Sequence, residues 1–313
     1  MSKQQLIIGT RGSTLALWQT RHVAAALKAD RPDLDVQVKQ IKTQGDLVRD
    51  RALWQVEGRG FFVKEIETAL LSGQVDIAVH SLKDVPTELP DSLTLGAILE
   101  RADPRDALLV RDDGIDSLSA LPQGARVGTS SLRRQAQLLA ARPDLEVADL
   151  RGNVDTRLRK LRAGEYDAIV LAVAGLVRLE LVEHIAQRIP FDLMLPAPAQ
   201  GALAIQCRSD DAAALDLLRL LDHKLTRTAV TAERAFLNGL SSGCSAPVAA
   251  CALHGSRLEG VTLQLRGLVA SLDGRQLVSV AAEGAPDAPE RLGRRLAQRA
   301  LDKGAREILE AIK

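Results

Sequence analysis

Aromatic side chains are scarce in this 313-residue chain, at 2% of the sequence, too few to build the stacking platforms on which single-stranded nucleic acid lies. A dominant charge is missing too. The formal net charge is +1, and no long lysine or arginine tract supplies a local basic field, so nucleic acid is not an expected partner. No stretch of about 18 uninterrupted apolar residues occurs, which excludes a simple membrane-spanning helix. The start, Met1-Ser2-Lys3-Gln4-Gln5, leads into a short strand and not into a signal-type apolar segment, so a soluble cytoplasmic protein is expected. Cysteines number three, an odd count with no zinc spacing, and the five histidines show no ligand pair. Neither a disulfide framework nor a metal site is expected.

What remains is a globular chain with 46% hydrophobic residues, long enough for two or three domains. Ten lysines leave 31 arginines among its 41 basic residues. Codon composition of a GC-rich genome accounts for such a bias, and so does a ligand rich in carboxylates, which the planar guanidinium grips with two parallel hydrogen bonds. Position along the chain has to separate the two.

The most informative run is Asp76-Ile77-Ala78-Val79-His80-Ser81-Leu82-Lys83-Asp84-Val85-Pro86. Val75, Ile77 and Val79 alternate as in a strand, and Pro86 biases Val85 toward extended geometry, which places Ser81, Lys83 and Asp84 at a strand's carboxyl end. A Lys-Asp pair is ordinarily a solvated surface pair. Ligands of open α/β sheets, however, bind at strand mouths of this kind.

Internal echoes point to two similar lobes. Leu6-Ile7-Ile8-Gly9-Thr10-Arg11-Gly12-Ser13 reads as a strand, a turn and a helix start, and Val127-Gly128-Thr129-Ser130-Ser131-Leu132-Arg133-Arg134 repeats that grammar. Likewise Ser72-Gly73-Gln74-Val75-Asp76-Ile77-Ala78-Val79 resembles Ala163-Gly164-Glu165-Tyr166-Asp167-Ala168-Ile169-Val170, each a helix ending at glycine before a buried strand. Strands alternating with helices predict α/β lobes with mostly parallel sheets to about residue 218. Proline breaks near Asp103-Pro104 and Pro196-Ala197-Pro198 divide this part at about residues 102 and 198. Beyond about residue 222 a helix, a Gly-Cys loop, alternating strands with an Asp273-Gly274 hairpin and a final helix predict a small α+β domain, 222–313.

Both helix starts carry hydroxyls and unpaired backbone N–H groups, natural anion sites as well as ordinary N-caps. Arg133 and Arg134 sit in a first turn, where cations oppose the helix dipole, and a bound anion would relieve that conflict. Arg11 stands in the equivalent turn of the first lobe, Arg151 at another strand-to-helix junction, and Arg157 one turn into the next helix. Cys207 and Cys251 lie in apolar runs and read as core residues. Cys244, in Ser241-Ser242-Gly243-Cys244-Ser245-Ala246-Pro247, reads either as a packed residue or as an accessible, reactive thiol.

With these motifs in this order the chain resembles the porphobilinogen deaminase (hydroxymethylbilane synthase) family over its full length. The match takes in Gly9-Thr10-Arg11, Leu15 to Gln19, Val79 to Pro86, Asp103 to Ala107, Gly128 to Arg134, Leu150 to Val154, Leu171 to Leu176, Gln200-Gly201-Ala202 and Gly243-Cys244. The resemblance implies two lobes of periplasmic-binding-protein type, 1–101 with 199–218 and 102–198, joined by crossing linkers, and a C-terminal domain that supplies the cysteine. It implies a transferase that adds four porphobilinogen molecules head to tail with loss of ammonia, giving linear 1-hydroxymethylbilane, as a monomer. It further implies a dipyrromethane cofactor, made from the enzyme's own substrate and held by a thioether to Cys244. Loss of ammonia leaves a cation shared with the pyrrole N–H, which a buried carboxylate stabilises while relaying protons, and Asp84 matches that role. For the acetate and propionate groups the resemblance implies Lys83, Thr129, Ser131, Arg133, Arg134 and Arg157 toward the cofactor, whose pyrrole nitrogens Asp84 also meets. Toward substrate it implies Arg11, Ser13, Arg151 and Arg178.

One stretch departs from the family pattern. Where bacterial relatives usually carry lysines, Gln55 to Phe62 has none and places Arg59 at the second position. Two rival readings belong to other classes. One is an anion-binding module of the same architecture, which needs neither Asp84 nor a loop thiol. The other is a transferase whose Cys244 turns over as a nucleophile.

Overall fold

The computed structural model describes residues 5–43, 63–240, 246–257 and 260–312. The chain forms two compact units. One includes Gly58–Ala102 and Ala202–Arg227 with the N-terminal strands, and the other includes Asp103–Gly201 and Thr228–Lys313. Among the described residues the strands are β1 (Gln5–Thr10), β2 (Asp35–Gln40), β3 (Ile77–Ser81), β4 (Leu93–Ile98), β5 (Asp106–Val110), β6 (Arg126–Gly128), β7 (Glu146–Ala148), β8 (Ala168–Ala172), β9 (Gln187–Arg188), β10 (Leu203–Arg208), β11 (Val248–Arg257), β12 (Gly260–Ala270) and β13 (Leu277–Gly284).

In the first unit the sheet order is β2-β1-β3-β10-β4. β1 pairs in parallel with β2 and β3, whereas β10 runs antiparallel to both β3 and β4. The α/β class follows, with four strands in one direction and a single opposing strand. β3 is buried on both faces, as its apolar run requires. Ile77 and Val79 join Leu6, Ile8, Val23, Leu27 and Ile205 on one side, while Ala78 packs with Ile66, Ala69 and Leu70 on the other.

In the second unit the order β7-β6-β8-β5-β9 reproduces the same plan. β6 is parallel to β7 and β8, and β5 is antiparallel to β8 and β9. The sequence echoes have a geometric basis. Gly73 and Gly164 both take left-handed φ, at 69° and 77°, so that Gln74 N–H reaches back to Ala69 and Glu165 N–H to Lys160 as each helix ends. Asp76 then accepts the N–H of Ile7 at 2.7 Å, and Asp167 accepts that of Arg126 at 2.8 Å, so each carboxylate pins the neighbouring strand in register.

The second unit also holds the antiparallel sheet β11-β12-β13, covered by the helices Lys224–Gly239 and Pro289–Ala300 around Phe236. Close approach explains one glycine there: a Cβ on Gly267 would lie 2.4 Å from Phe236 Cζ. The expected hairpin turn is present, with Gly274 at φ 71° between β12 and β13. Among the described residues no helix is long and apolar enough to cross a membrane.

Candidate functional site

Two clusters of the residues singled out above emerge, one in each unit. In the first, the helix Thr14–Asp30 begins where Ser13 Oγ accepts the N–H of Ala16 at 3.2 Å. Beside it, β3 ends at Ser81 and the chain turns through the 3₁₀ segment Leu82–Asp84 before Pro86. These two ends border a pocket, open to solvent, with about 460 Å³ of empty space, lined among others by Arg11, Ser13, Gln19, His80, Ser81 and Asp84. Gln19 Nε2 donates to Ser81 Oγ at 2.9 Å and ties the helix to the strand mouth. Lys83 is half-buried. Asp84 is exposed, unlike the buried carboxylate expected, because the 3₁₀ turn carries it past the sheet to the pocket's open side.

His80 belongs to this pocket and was not singled out by the sequence, although strand alternation places it opposite Val79. It is buried, and burial together with the nearby Arg11 charge pushes its pKa down to about 4 despite a favourable contribution from Gln206. A histidine held neutral in the native state and free to charge when unfolded costs stability as pH falls through the window from 6.5 to about 4. The expected loss across that window is roughly 3 kcal/mol. Thermal unfolding of wild type and His80→Gln between pH 7 and 4 checks this: the variant should show a flatter pH dependence, and parallel curves would remove His80 as the cause.

The second cluster surrounds the start of the helix Leu132–Ala141. Ser131 Oγ caps it through the N–H of Arg134, and Thr129 Oγ1 accepts the N–H of Ser131 at 3.2 Å. Arg133 and Arg134 turn inward, each almost fully buried, onto Asp106 at the start of β5. Arg133 Nη2 lies 2.8 Å from Asp106 Oδ2, and Arg134 Nη2 lies 2.7 Å from Oδ1. Backbone carbonyls complete the anchorage, with Arg133 Nη1 donating to Leu195 at 2.6 Å and Arg134 Nη1 to Val170 at 2.9 Å. The first-turn cations therefore find their anion inside the chain. The two guanidiniums in turn hold the Asp106 carboxyl far below the usual carboxylate range despite its burial.

The other arginines are placed separately. Arg157 Nε donates to the Gly152 carbonyl at 2.8 Å in the helix that Asn153 caps, and Arg151 stands half-buried at the same helix start. Arg178 is buried, donates to the Gly201 carbonyl at 2.6 Å, and is pushed down to about 10 by desolvation. Cys244 and the Gln55 to Phe62 stretch lie outside the described residues. Among the described residues no group of three or more His, Cys, Asp and Glu side chains is placed to hold a metal ion.

Comparison with known proteins gives these clusters a context. Solved structures of low identity resemble the chain over about 70% of its length. The VFT2 domain of BvgS from Bordetella pertussis does so at 15% identity, 85% coverage of that domain and a TM-score of 0.42. A TRAP periplasmic solute binding protein from Desulfovibrio salexigens does so at 13% identity, 72% coverage and a TM-score of 0.42. Sequence relatives are far nearer. The porphobilinogen deaminase of Xanthomonas oryzae pv. oryzae is 55% identical over 307 residues, covering 98% of this chain and 99% of that protein. That of Syntrophomonas wolfei is 50% identical over 306 residues, covering 98% of each. The family model for the porphobilinogen deaminase dipyrromethane cofactor binding domain matches residues 6–216, and that for the C-terminal domain matches 227–302. Two helix starts bearing arginines and hydroxyls, repeated on twin sheets within a match that spans nearly every residue, make this chain a member of the porphobilinogen deaminase family.

Proposed function

We propose that this chain carries out the family reaction, the polymerisation of porphobilinogen to hydroxymethylbilane, through the residues named above. The observation that supports the residue assignment is the pocket at the end of β3, where Arg11, Ser13 and Asp84 share one opening. Porphobilinogen carries two carboxylates and a pyrrole N–H. Arg11 and the Ser13 helix start meet the carboxylates, and Asp84 accepts the pyrrole N–H. When ammonia leaves, the carbon left behind shares its positive charge with that nitrogen, and the fixed negative charge of Asp84 lowers the energy of the step. The same carboxylate takes the proton released when the new carbon–carbon bond restores the ring. Arg151 and Arg178 hold further carboxylates of the lengthening chain, while Lys83 and Arg157 hold carboxylates of the cofactor.

The dipyrromethane fits the second unit's donors. Thr129 and Ser131 supply hydroxyls, and neither Arg133 nor Arg134 commits all five of its N–H donors to the partners described. Bound by a thioether to Cys244, this group supplies the nucleophilic pyrrole to which the first substrate unit is joined. We further propose that the chain acts in the cytoplasm as a monomer, with lobes 1–101 with 199–218 and 102–198 and a C-terminal domain 222–313.

Arginine variants test this division. Arg11→Leu should carry the cofactor yet stall in elongation, whereas Arg133→Leu or Arg134→Leu should accumulate bare chain. Loss of one partner from a buried charged pair typically costs about 2–5 kcal/mol. Intact masses before and after porphobilinogen addition read the outcome: a fully loaded, normally elongating Arg133→Leu or a cofactor-free Arg11→Leu would overturn the assignment.

A further inference from the structure

The Asp106 carboxylate is fully buried and lies between two guanidiniums that are themselves more than nine-tenths buried. Its Oδ1 also accepts from Gln200 Nε2 at 2.9 Å, and the same Gln200 nitrogen donates to the Pro104 carbonyl at 2.8 Å. Burying three charges is costly, and an apolar trio of the same volume would stabilise the fold at least as well. Stability alone therefore gives no reason for the arrangement. Its geometric result is specific: Arg133 and Arg134, consecutive on one helix, would repel one another and diverge, yet Arg134 is hydrogen-bonded to Oδ1 through Nε and Nη2 while Arg133 lies in ion-pair contact with Oδ2 of the same carboxylate.

We infer that Asp106 is a positioning residue for the dipyrromethane site, holding Arg133 and Arg134 in their binding geometry before the cofactor arrives. The inference rests on the proposed cofactor role of those two arginines. Preorganisation of this kind spares the ligand the cost of ordering two long side chains, and it leaves one net positive charge on the triad to meet the cofactor's carboxylates. Asp106 acts only through the arginines and need not touch the cofactor.

Two substitutions separate charge from position. Asp106→Asn removes the counter-charge, and Asp106→Glu keeps it but moves it outward by one methylene. In intact mass spectra of purified protein, Asp106→Asn should carry at least tenfold less cofactor-bearing chain than wild type. Asp106→Glu should retain most of the thermal midpoint and still load severalfold less. Wild-type loading in Asp106→Asn would overturn the inference outright, and wild-type loading in Asp106→Glu would reduce Asp106 to a charge without a positioning role. If neither variant folds, the unaltered triad decides. In the cofactor-free Cys244→Ser chain, the Nε–H protons of Arg133 and Arg134, assigned by their loss in Lys variants, should exchange with solvent as slowly as in loaded protein. Fast exchange that slows only on loading would show that the cofactor organises the pair. The functional reading fails separately, through a wild-type chain that carries no two-pyrrole adduct at all.

Discussion

Asp84→Asn should lower turnover by about two orders of magnitude or more while affecting substrate affinity much less, because the substitution preserves shape and hydrogen-bonding capacity but deletes the charge. A hundredfold fall corresponds to about 2.7 kcal/mol of lost transition-state stabilisation. Exposure of Asp84 sharpens the expectation. In water its field is screened, so its leverage depends on a substrate ring closing over the pocket that Arg11, Ser13 and Gln19 line. Steady-state rates with porphobilinogen provide the measurement. Near-normal turnover with an increased KM alone would make Asp84 a binding group and leave the cation without its stabilising charge.

Cys244→Ser should fold and show little or no sustained activity. A serine hydroxyl is a far weaker nucleophile than a thiolate, so the variant would fail to capture the dipyrromethane, and every later addition lacks its anchor. The other two cysteines provide the control. Cys207 is fully buried on β10 and pushed up to about 11 by desolvation, and Cys251 is buried in the β11 strand. Ser at either position should lower stability by about 1–3 kcal/mol through a buried hydroxyl and leave the intact mass of the loaded protein otherwise unchanged. Equal activity of wild type and Cys244→Ser after purification would refute the anchor.

Much of this was legible in the residues themselves. The paired motifs at Gly73 and Gly164 announced twin lobes because a left-handed glycine and a following aspartate are local requirements, written wherever the same turn recurs. The strand mouth at Ser81 was legible for a similar reason, since Pro86 and the alternation of Ile77 and Val79 act over a few residues. Asp106 was not. It stands 28 residues from Arg134, and no periodicity connects an isolated aspartate at a strand start with arginines on a distant helix. The first-turn arginines pointed to an external anion, and nothing along the sequence showed that an internal carboxylate also holds them. Nor could the exposure of Asp84 be read, because it depends on how far a three-residue turn projects from the sheet.

The opposing strand in each sheet has a consequence for how the chain comes into being. β10 lies between β3 and β4, so the first sheet cannot close until residue 208 has been made, more than 100 residues after β4. The second sheet needs only the continuous stretch from β5 to β9, complete at residue 188. During synthesis the later sheet is thus the earlier one to be finished, while the edges of β3 and β4 wait unpaired on the emerging chain. A chain arrested after β9 has left the ribosome but before β10 has would hold one closed sheet and one open one, and the open one is where a chaperone would bind.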